Sequence, residues 1–442
     1  MKKFFTTIKN IFSIEELRTR IFYTLGFLMV FRLGSFIVLP GVDPSKLNEA
    51  SSGFFGMINT FLGGAFSRAS IFALGIMPYI SASIIVQLLS VAVPKFQKLQ
   101  KEGESGRKKI NQITRVLTIL ITMAQASGYL AATIPAEAIT LTNQSFFVAS
   151  SMIILTSGTM FCMWLGEKIT EKGIGNGISM LIMIGIISRF PLAIIEEVGT
   201  RGTQGLLLLV LEFLALFFIV MSVVLLTTAV RRIPVQYARQ VVGGGKKQLG
   251  KGQRSYIPLK VNSANVMPII FAQSLMFLPS LLSSVWAEEN DTARYIAQAF
   301  ADFTSLEYNI TFAILIILFT FFYTAITINP KQMADDMKRN NAFIPGVKPG
   351  EQTSDYISAV LDKITLPGAL FLAIVAVLPA FASAAGVSMN FAQFYGGTSL
   401  IIMVGVILDT LQQIESYLLM RHYEGMMKSG SIKGRSQNVP AF

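Results

Sequence analysis

Apolar runs of about 20 residues recur ten times along this chain, at 21–39, 71–92, 116–132, 147–165, 177–195, 205–230, 266–286, 310–328, 366–384 and 398–419. Each is long enough to cross the ~30 Å hydrocarbon layer of a membrane as a helix. Polar and basic stretches separate them. Between Gly56 and Leu89 the pattern breaks. GMINTFLGGAFSRAS is too short, too rich in Gly and Ser and, at Arg68, too polar to span, and IFALGIMPYISASIIVQLLS follows it at once. Irregular backbone at membrane depth survives only where protein buries it or a water-filled cavity meets it, because lipid offers its N–H and C=O groups no partner. The broken stretch predicts a re-entrant half-helix over 56–69 and a protein that encloses a path.

Ten spans divide into five and five, and an odd number per half makes the second half enter the membrane inverted. One trace of such a repeat is visible. The second span of the first half carries Met77-Pro78-Tyr79-Ile80, and the second span of the second half carries Met267-Pro268-Ile269-Ile270. Prolines at corresponding places in two inverted halves mark a working site at their interface. The predicted fold is therefore an all-α polytopic membrane protein of ten transmembrane helices in two inverted five-helix halves with a re-entrant plug helix. An amphipathic segment over 1–20 precedes the first half at 21–195. The second half runs over 205–419 and the tail over 420–442. Ser13 and Glu16 have the spacing of a capping box opening a short surface helix. Gly173, Gly175 and Gly177 suit a tight turn into the fifth span.

Composition agrees: 52% of residues are hydrophobic and 14% charged, and mean hydropathy is +0.57. Charge adds orientation. Thirty of the 37 Lys and Arg lie in the two tails and in every second loop, and four lie in the opposite loops. The positive-inside rule then puts both termini in the cytoplasm, in a multi-pass protein of the cytoplasmic (inner) membrane. Eight basic residues between Arg231 and Lys260 exceed what topology needs. The first 20 residues are charged and amphipathic, unlike a cleavable signal.

Chemistry narrows the function by exclusion. Gly245 to Lys251 resembles a nucleotide-binding P-loop, but Gly252 stands where Ser or Thr would hold magnesium, and a flexible hairpin tip fits better. The one histidine is His422 in the tail and the one cysteine is Cys162 inside a span, which leaves no histidine base in a span, no disulfide framework and no metal cluster. No enzyme and no cofactor are expected. A secondary transporter is the alternative, with Arg32, Glu212 and Asp409 as its ionisable candidates. Long basic loops at 231–260 and 329–363 favour a channel fed by a large docked partner instead.

Several words in order along the chain resemble the bacterial SecY family, the central subunit of the SecYEG protein translocation channel. They are FRLGSFIVLPGVD (31–43), GGAFSRASIFALGIMPYISASIIVQLL (63–89), KEGESGRKKINQITR (101–115), GTMFCMWLGEKITEKGIGNGIS (158–179), IPLKVNSANVMPIIFA (257–272), INPKQMADDMK (328–338), FIPGVKPGEQT (343–353) and FYGGTSLI (394–401). The resemblance implies a clamshell around an hourglass pore that passes unfolded polypeptides across the membrane and releases transmembrane segments sideways into lipid. Its pore ring would fall on Ile76, Ile80, Ile178, Ile182, Ile270 and Ile402, and its plug would contain Gly63, Gly64, Ser67 and Arg68. Gln87 and Asn262 match positions near the lateral gate, between the second and third spans on one side and the seventh and eighth on the other. The docking loops would use Arg231, Arg232, Arg239, Lys246, Lys247, Arg339 and Lys348. Implied partners are SecE and SecG, the motor ATPase SecA, the ribosome through rRNA phosphates, signal sequences of secreted proteins and membrane lipid. One departure is Lys348, where the family carries arginine; lysine keeps the charge and loses the bidentate fork.

Overall fold

The computed structural model describes residues 12–47, 59–60, 62–141, 143–202, 205–237, 254–264, 266–273, 275–276, 295, 299–300, 302 and 304–428. Helix α1 (Glu15–Gly34) is continuous into the first expected span. Its N-cap is Ile14, which supplies no side-chain cap. Glu16 is engaged one turn further on, accepting from Arg20 at 3.2 Å.

Residues 62–76 are turns and a bridge rather than a helix, and within the described part of 56–69 only residues 59–60 are helical. Over 62–69 the expected half-helix is thus corrected to an irregular, buried chain, while residues 56–58 and 61 lie outside the described residues. Its cause is local: Gly63, Gly64, Ala69 and Gly75 all have positive φ (62°, 88°, 47° and 51°), and a left-handed residue interrupts the helical hydrogen-bond ladder. Neighbours supply the missing partners. Leu39 N–H donates to the Ala69 carbonyl at 2.8 Å, Ile71 N–H to the Ile37 carbonyl at 2.9 Å, and the Tyr129 hydroxyl to the Phe66 carbonyl at 2.7 Å. Leu62, Phe66, Ala73 and Leu74 pack with Tyr129, Leu130, Phe147 and Leu155 in one apolar cluster.

Helix α2 (Met77–Ala92) begins only after Gly75, with Pro78 in its first turn, where a missing N–H costs nothing. At Pro94 the chain bends by 103° into α3 (Pro94–Lys101). Then come α4 (Glu104–Thr133), α5 (Gln144–Lys172) and α6 (Gly177–Arg201). The α5–α6 turn is as tight as its glycines predict. Gly175 has φ +82°, a Cβ on Gly177 would fall 2.0 Å from the Gly166 carbonyl oxygen, and Asn176 caps α6 by accepting from the Ile178 and Ser179 N–H groups.

Helix α7 (Leu206–Thr228) leads into strands β1 (Val230–Tyr237) and β2 (Arg254–Lys260), paired antiparallel from Val230↔Lys260 to Gln236↔Arg254. The 231–260 loop is therefore a hairpin, whose tip lies outside the described residues. Residues 267–273 are helical, and most of the expected 266–286 span lies outside the described residues. Helices α8 (Leu306–Thr327) and α9 (Pro330–Arg339), strand β3 (Ala342–Phe343) and helices α10 (Glu351–Ala384), α11 (Met389–Ala392) and α12 (Gly397–Lys428) complete the chain. The sheet has order β2-β1-β3, an addition to the all-α expectation.

Seven of the described helices, α4 to α8, α10 and α12, are long and apolar enough to cross a membrane, or eight if the bent α2–α3 pair is one span. Helix α1, with Glu15, Glu16, Arg18, Arg20 and Arg32, is too charged to meet that measure. The exposed faces are apolar, as at Ile195, Leu207, Phe217 and Leu318, and hydrocarbon is the solvent that such faces require.

Close backbone approach between α5 and the turn segment yields one prediction. A Cβ on Gly158 would sit 2.1 Å from the Ile71 carbonyl oxygen, and backbone on both sides has no side-chain rotamer with which to yield. Gly158→Val is expected to cost at least about 1–3 kcal/mol and to lower the yield of monodisperse protein in size-exclusion chromatography. A normal elution profile and melting temperature for the variant would contradict this packing.

Candidate functional site

Three helices and one shorter helical segment converge on one apolar cluster. Ile76 and Ile80 come from the start of α2, Ile178 and Ile182 from the first turns of α6, Ile270 from the helical 267–273 segment and Ile402 from α12. Ile76, Ile80, Ile182 and Ile402 are buried in this cluster, and Ile178 and Ile270 pack against it half-buried. Six isoleucines drawn from positions up to 326 residues apart (402 minus 76) are thus parts of one apolar mass. Their β-branched side chains have few rotamers, and a narrow apolar constriction excludes water and ions by dewetting.

Against this mass lies the irregular segment. The Thr60 hydroxyl donates to Gln393 Oε1 in the turn between α11 and α12. Ser67 N–H donates to Asn59 Oδ1 at 3.1 Å, and the Ser67 hydroxyl to the Gly64 carbonyl at 3.4 Å. Arg32 Nη1 donates to the Gly63 carbonyl at 2.9 Å. The Arg32 and Arg68 guanidiniums both lie over the Phe36 ring, at 4.9 and 4.4 Å from its centroid. Gly63 and Gly64 are favoured first by backbone conformation. Beyond their positive φ, a Cβ would meet Arg32 Nη1 at 2.6 Å on the first and Arg189 Nη2 at 2.8 Å on the second.

Gln87 on α2 is half-buried, with Ser83 as a distant partner at 3.5 Å. Asn262 is 1% exposed, and neither of its side-chain amide atoms has a hydrogen-bond partner among the described residues. No hydrogen bond joins Gln87 to Asn262 among the described residues.

At the other end of the site, β3 pairs with β1 at Gln236↔Phe343 and Tyr237↔Ala342. The two long basic loops are thereby a single body, with Ile233, Val235, Leu259, Met337, Ile344, Ile357 and Leu361 as its core. Arg231, Arg232, Arg339 and Lys348 are exposed on it. The Thr353 hydroxyl donates to the Lys348 carbonyl at 2.8 Å and holds that loop at the start of α10. Arg239, Lys246 and Lys247 lie outside the described residues.

Two of the three ionisable candidates of the transporter alternative are engaged at separate places. Arg32 serves the Gly63 carbonyl, and Glu212 on α7 is ion-paired with Arg201. Sequence reasoning missed Glu197 and Arg201, which complete a buried network at the α6–α7 junction. The available signal was Glu197 and Arg201 four apart on a largely apolar helix, the spacing of an ion pair.

With this geometry in hand, the family model described as SecY matches residues 70–411. The chain is 42% identical over 445 residues to the protein translocase subunit SecY of Halalkalibacterium halodurans, covering 96% of this chain and all of that protein. It is 41% identical to that of Vibrio cholerae, covering 96% of each. Among solved structures, a protein-conducting channel superposes with a TM-score of 0.64 at 16% identity, over 94% of this chain and 95% of the other. Sec61 in the canine ribosome-channel complex from the endoplasmic reticulum superposes with a TM-score of 0.60 at 15% identity, over the same shares.

Proposed function

We propose that this chain, which belongs to the SecY family and is a non-enzymatic subunit of a protein-conducting channel, passes unfolded polypeptide between its two halves and lets transmembrane segments leave sideways into lipid. The observation that carries this reading is the gathering of Ile76, Ile80, Ile178, Ile182, Ile270 and Ile402 into one apolar cluster beside a buried, non-helical segment. An apolar girdle blocks ions when empty and imposes no sequence preference on a chain that parts it, which suits a conduit for many different polypeptides. The segment holding Gly63, Gly64, Ser67 and Arg68 is the plug. It is held by hydrogen bonds and by the packing of Leu62 and Phe66 against Tyr129, Leu130 and Phe147, contacts that its displacement must break.

Ten spans in two inverted halves, both termini cytoplasmic in the inner membrane, follow from the apolar runs and the distribution of Lys and Arg. The lateral gate opens between the second and third spans and the seventh and eighth. Asn262, buried beside it with unpartnered amide atoms, is available to a polar group of an arriving signal sequence, and Gln87 lies on the facing span. The sheet body, carrying Arg231, Arg232, Arg339 and Lys348, is the cytoplasmic docking surface for SecA and for ribosomal RNA phosphates. Arg239, Lys246 and Lys247 extend that surface. SecE and SecG are the accessory subunits, a feature a solute transporter does not need.

A photo-crosslinking residue at Ile80 or Ile182 is expected to capture a stalled secretory precursor in membranes, while the same residue at Phe217, on the exposed face of α7, is expected to capture lipid. Equal capture of precursor at all three positions, or none at Ile80 and Ile182, would remove the conduit from this place.

A further inference from the structure

Seven of the 37 Lys and Arg lie outside the tails and the basic loops (37 minus 30), and three of those seven, Arg32, Arg68 and Arg189, meet around one turn of the irregular segment. Arg32, in the last turn of α1, donates from Nη1 to the Gly63 carbonyl at 2.9 Å. Arg189, on α6, lies against the next residue, since a Cβ on Gly64 would stand 2.8 Å from its Nη2 and 3.0 Å from its Nε. Arg68 shares the Phe36 ring with Arg32. Among the described residues no ion pair joins Arg32 or Arg68 to an Asp or Glu, and Arg68 Nη1 is buried without a hydrogen-bond partner. Like charges gathered at short range raise one another's cost, and an arginine at membrane depth is kept where it has a partner or a cavity to face. The negative end of the α1 dipole suits Arg32. It does not account for the other two. Each of the three side chains is only half-buried, so the cluster can be reached from outside the protein.

We propose that Arg32, Arg68 and Arg189 bind one phosphate-type oxyanion between them, and that the bound anion ties the 63–68 turn to α1 and α6. Guanidinium is the cation whose planar fork matches such a set of oxygens, and donors arriving from three elements suit a tetrahedral ion better than a planar carboxylate. Gly63 and Gly64 leave the room for it, because a Cβ on either would stand 2.6 or 2.8 Å from a guanidinium nitrogen. The phosphate has two sources. Inorganic phosphate reaches the cluster through water, whereas the headgroup of an anionic phospholipid reaches it from the membrane, where Leu33, Phe36 and Ile37, exposed just after Arg32, offer the acyl chains an apolar surface. Both present the same oxyanion. The site stands on its own geometry, whether or not the segment it grips acts as a plug.

Phosphorus NMR of inorganic phosphate titrated with the intact channel complex, freed of lipid in an uncharged detergent at constant ionic strength, tests the site. Saturable broadening of the phosphate signal is expected, and Arg68→Gln or Arg189→Gln is expected to weaken binding about tenfold or more, the loss of a charge-assisted contact. Arg107→Gln, an exposed change in the first turn of α4, is expected to leave it unaltered. In the unmodified complex, where no variant can misfold, sulfate should displace phosphate and chloride at the same ionic strength should not. Hydrogen exchange at 62–69 should slow as phosphate saturates. A second arm uses nanodiscs of phosphatidylcholine and phosphatidylglycerol without free phosphate. Native mass spectrometry that finds phosphatidylglycerol retained by the unmodified complex and lost from Arg68→Gln assigns the oxyanion to lipid; equal retention by both, with phosphate binding intact, assigns it to the free ion. Broadening that persists in both arginine variants, or that chloride removes as well as sulfate does, overturns the proposal. So does the absence of broadening together with equal lipid retention. Exchange at 62–69 that saturation leaves unchanged overturns the tie to α1 and α6.

Discussion

Serine at Ile80, Ile182 and Ile402 together is expected to convert a resting channel that holds an ion gradient into one that leaks continuously. Each of these side chains is buried in the common apolar cluster. Replacing sec-butyl groups by hydroxymethyl groups widens the constriction and gives water hydrogen-bonding partners there, removing the dewetting that blocks ions. The loss of buried apolar surface also costs stability, on the order of 2–5 kcal/mol per position by analogy with large-to-small core changes. Leucine at the same three positions preserves apolar volume and is expected to remain tight. Conductance across planar bilayers containing the reconstituted complex separates the two triple variants. If the serine variant, inserted and folded, conducts no more than the leucine variant, these residues are not the seal.

The second large effect belongs to Arg201. Arg201→Ala leaves Glu197 and Glu212 buried with no cation, and stranding a buried charge costs about 3–5 kcal/mol. The melting temperature of the purified complex is expected to drop markedly. Arg201→Lys recovers only part of the loss, because an ammonium cannot present the planar fork that reaches Glu197, Glu212 and the Gly386 carbonyl together. A triple variant, Arg201→Met with Glu197→Gln and Glu212→Gln, should be more stable than Arg201→Ala, since no unpaired charge remains. Wild-type melting for Arg201→Ala would mean that water reaches both carboxyls.

What the amino-acid order makes legible is what depends on neighbours in the chain. Run length and apolarity reveal helices such as α5 to α8, because every backbone group in lipid must be satisfied within its own segment. The glycines at 175 and 177 announce a tight turn, since a positive φ and a close backbone approach each exclude a Cβ. Gly63 and Gly64 mark the place where the chain fails to span, although the sequence suggested a half-helix there and the structure holds turns. Placing the six isoleucines needed a resemblance, because isoleucine is common in every span and no periodicity singles them out.

Tertiary structure alone decided the rest. The basic loops read as two separate features, yet strand pairing of Gln236 with Phe343 makes them one sheet. Glu212 read as a lone charge in a span, yet the fold brings it to Arg201 and, through Arg201, to Gly386 at a separation of 185 residues. Thr60 meets Gln393 across 333 residues. Such meetings are set by how helices pack, and packing depends on the shapes of whole surfaces. Hydropathy and charge, read along the chain, determine that this protein lies in a membrane and where it is interrupted; only the packed helices decide which distant polar groups share the few places where a charge can be kept away from water.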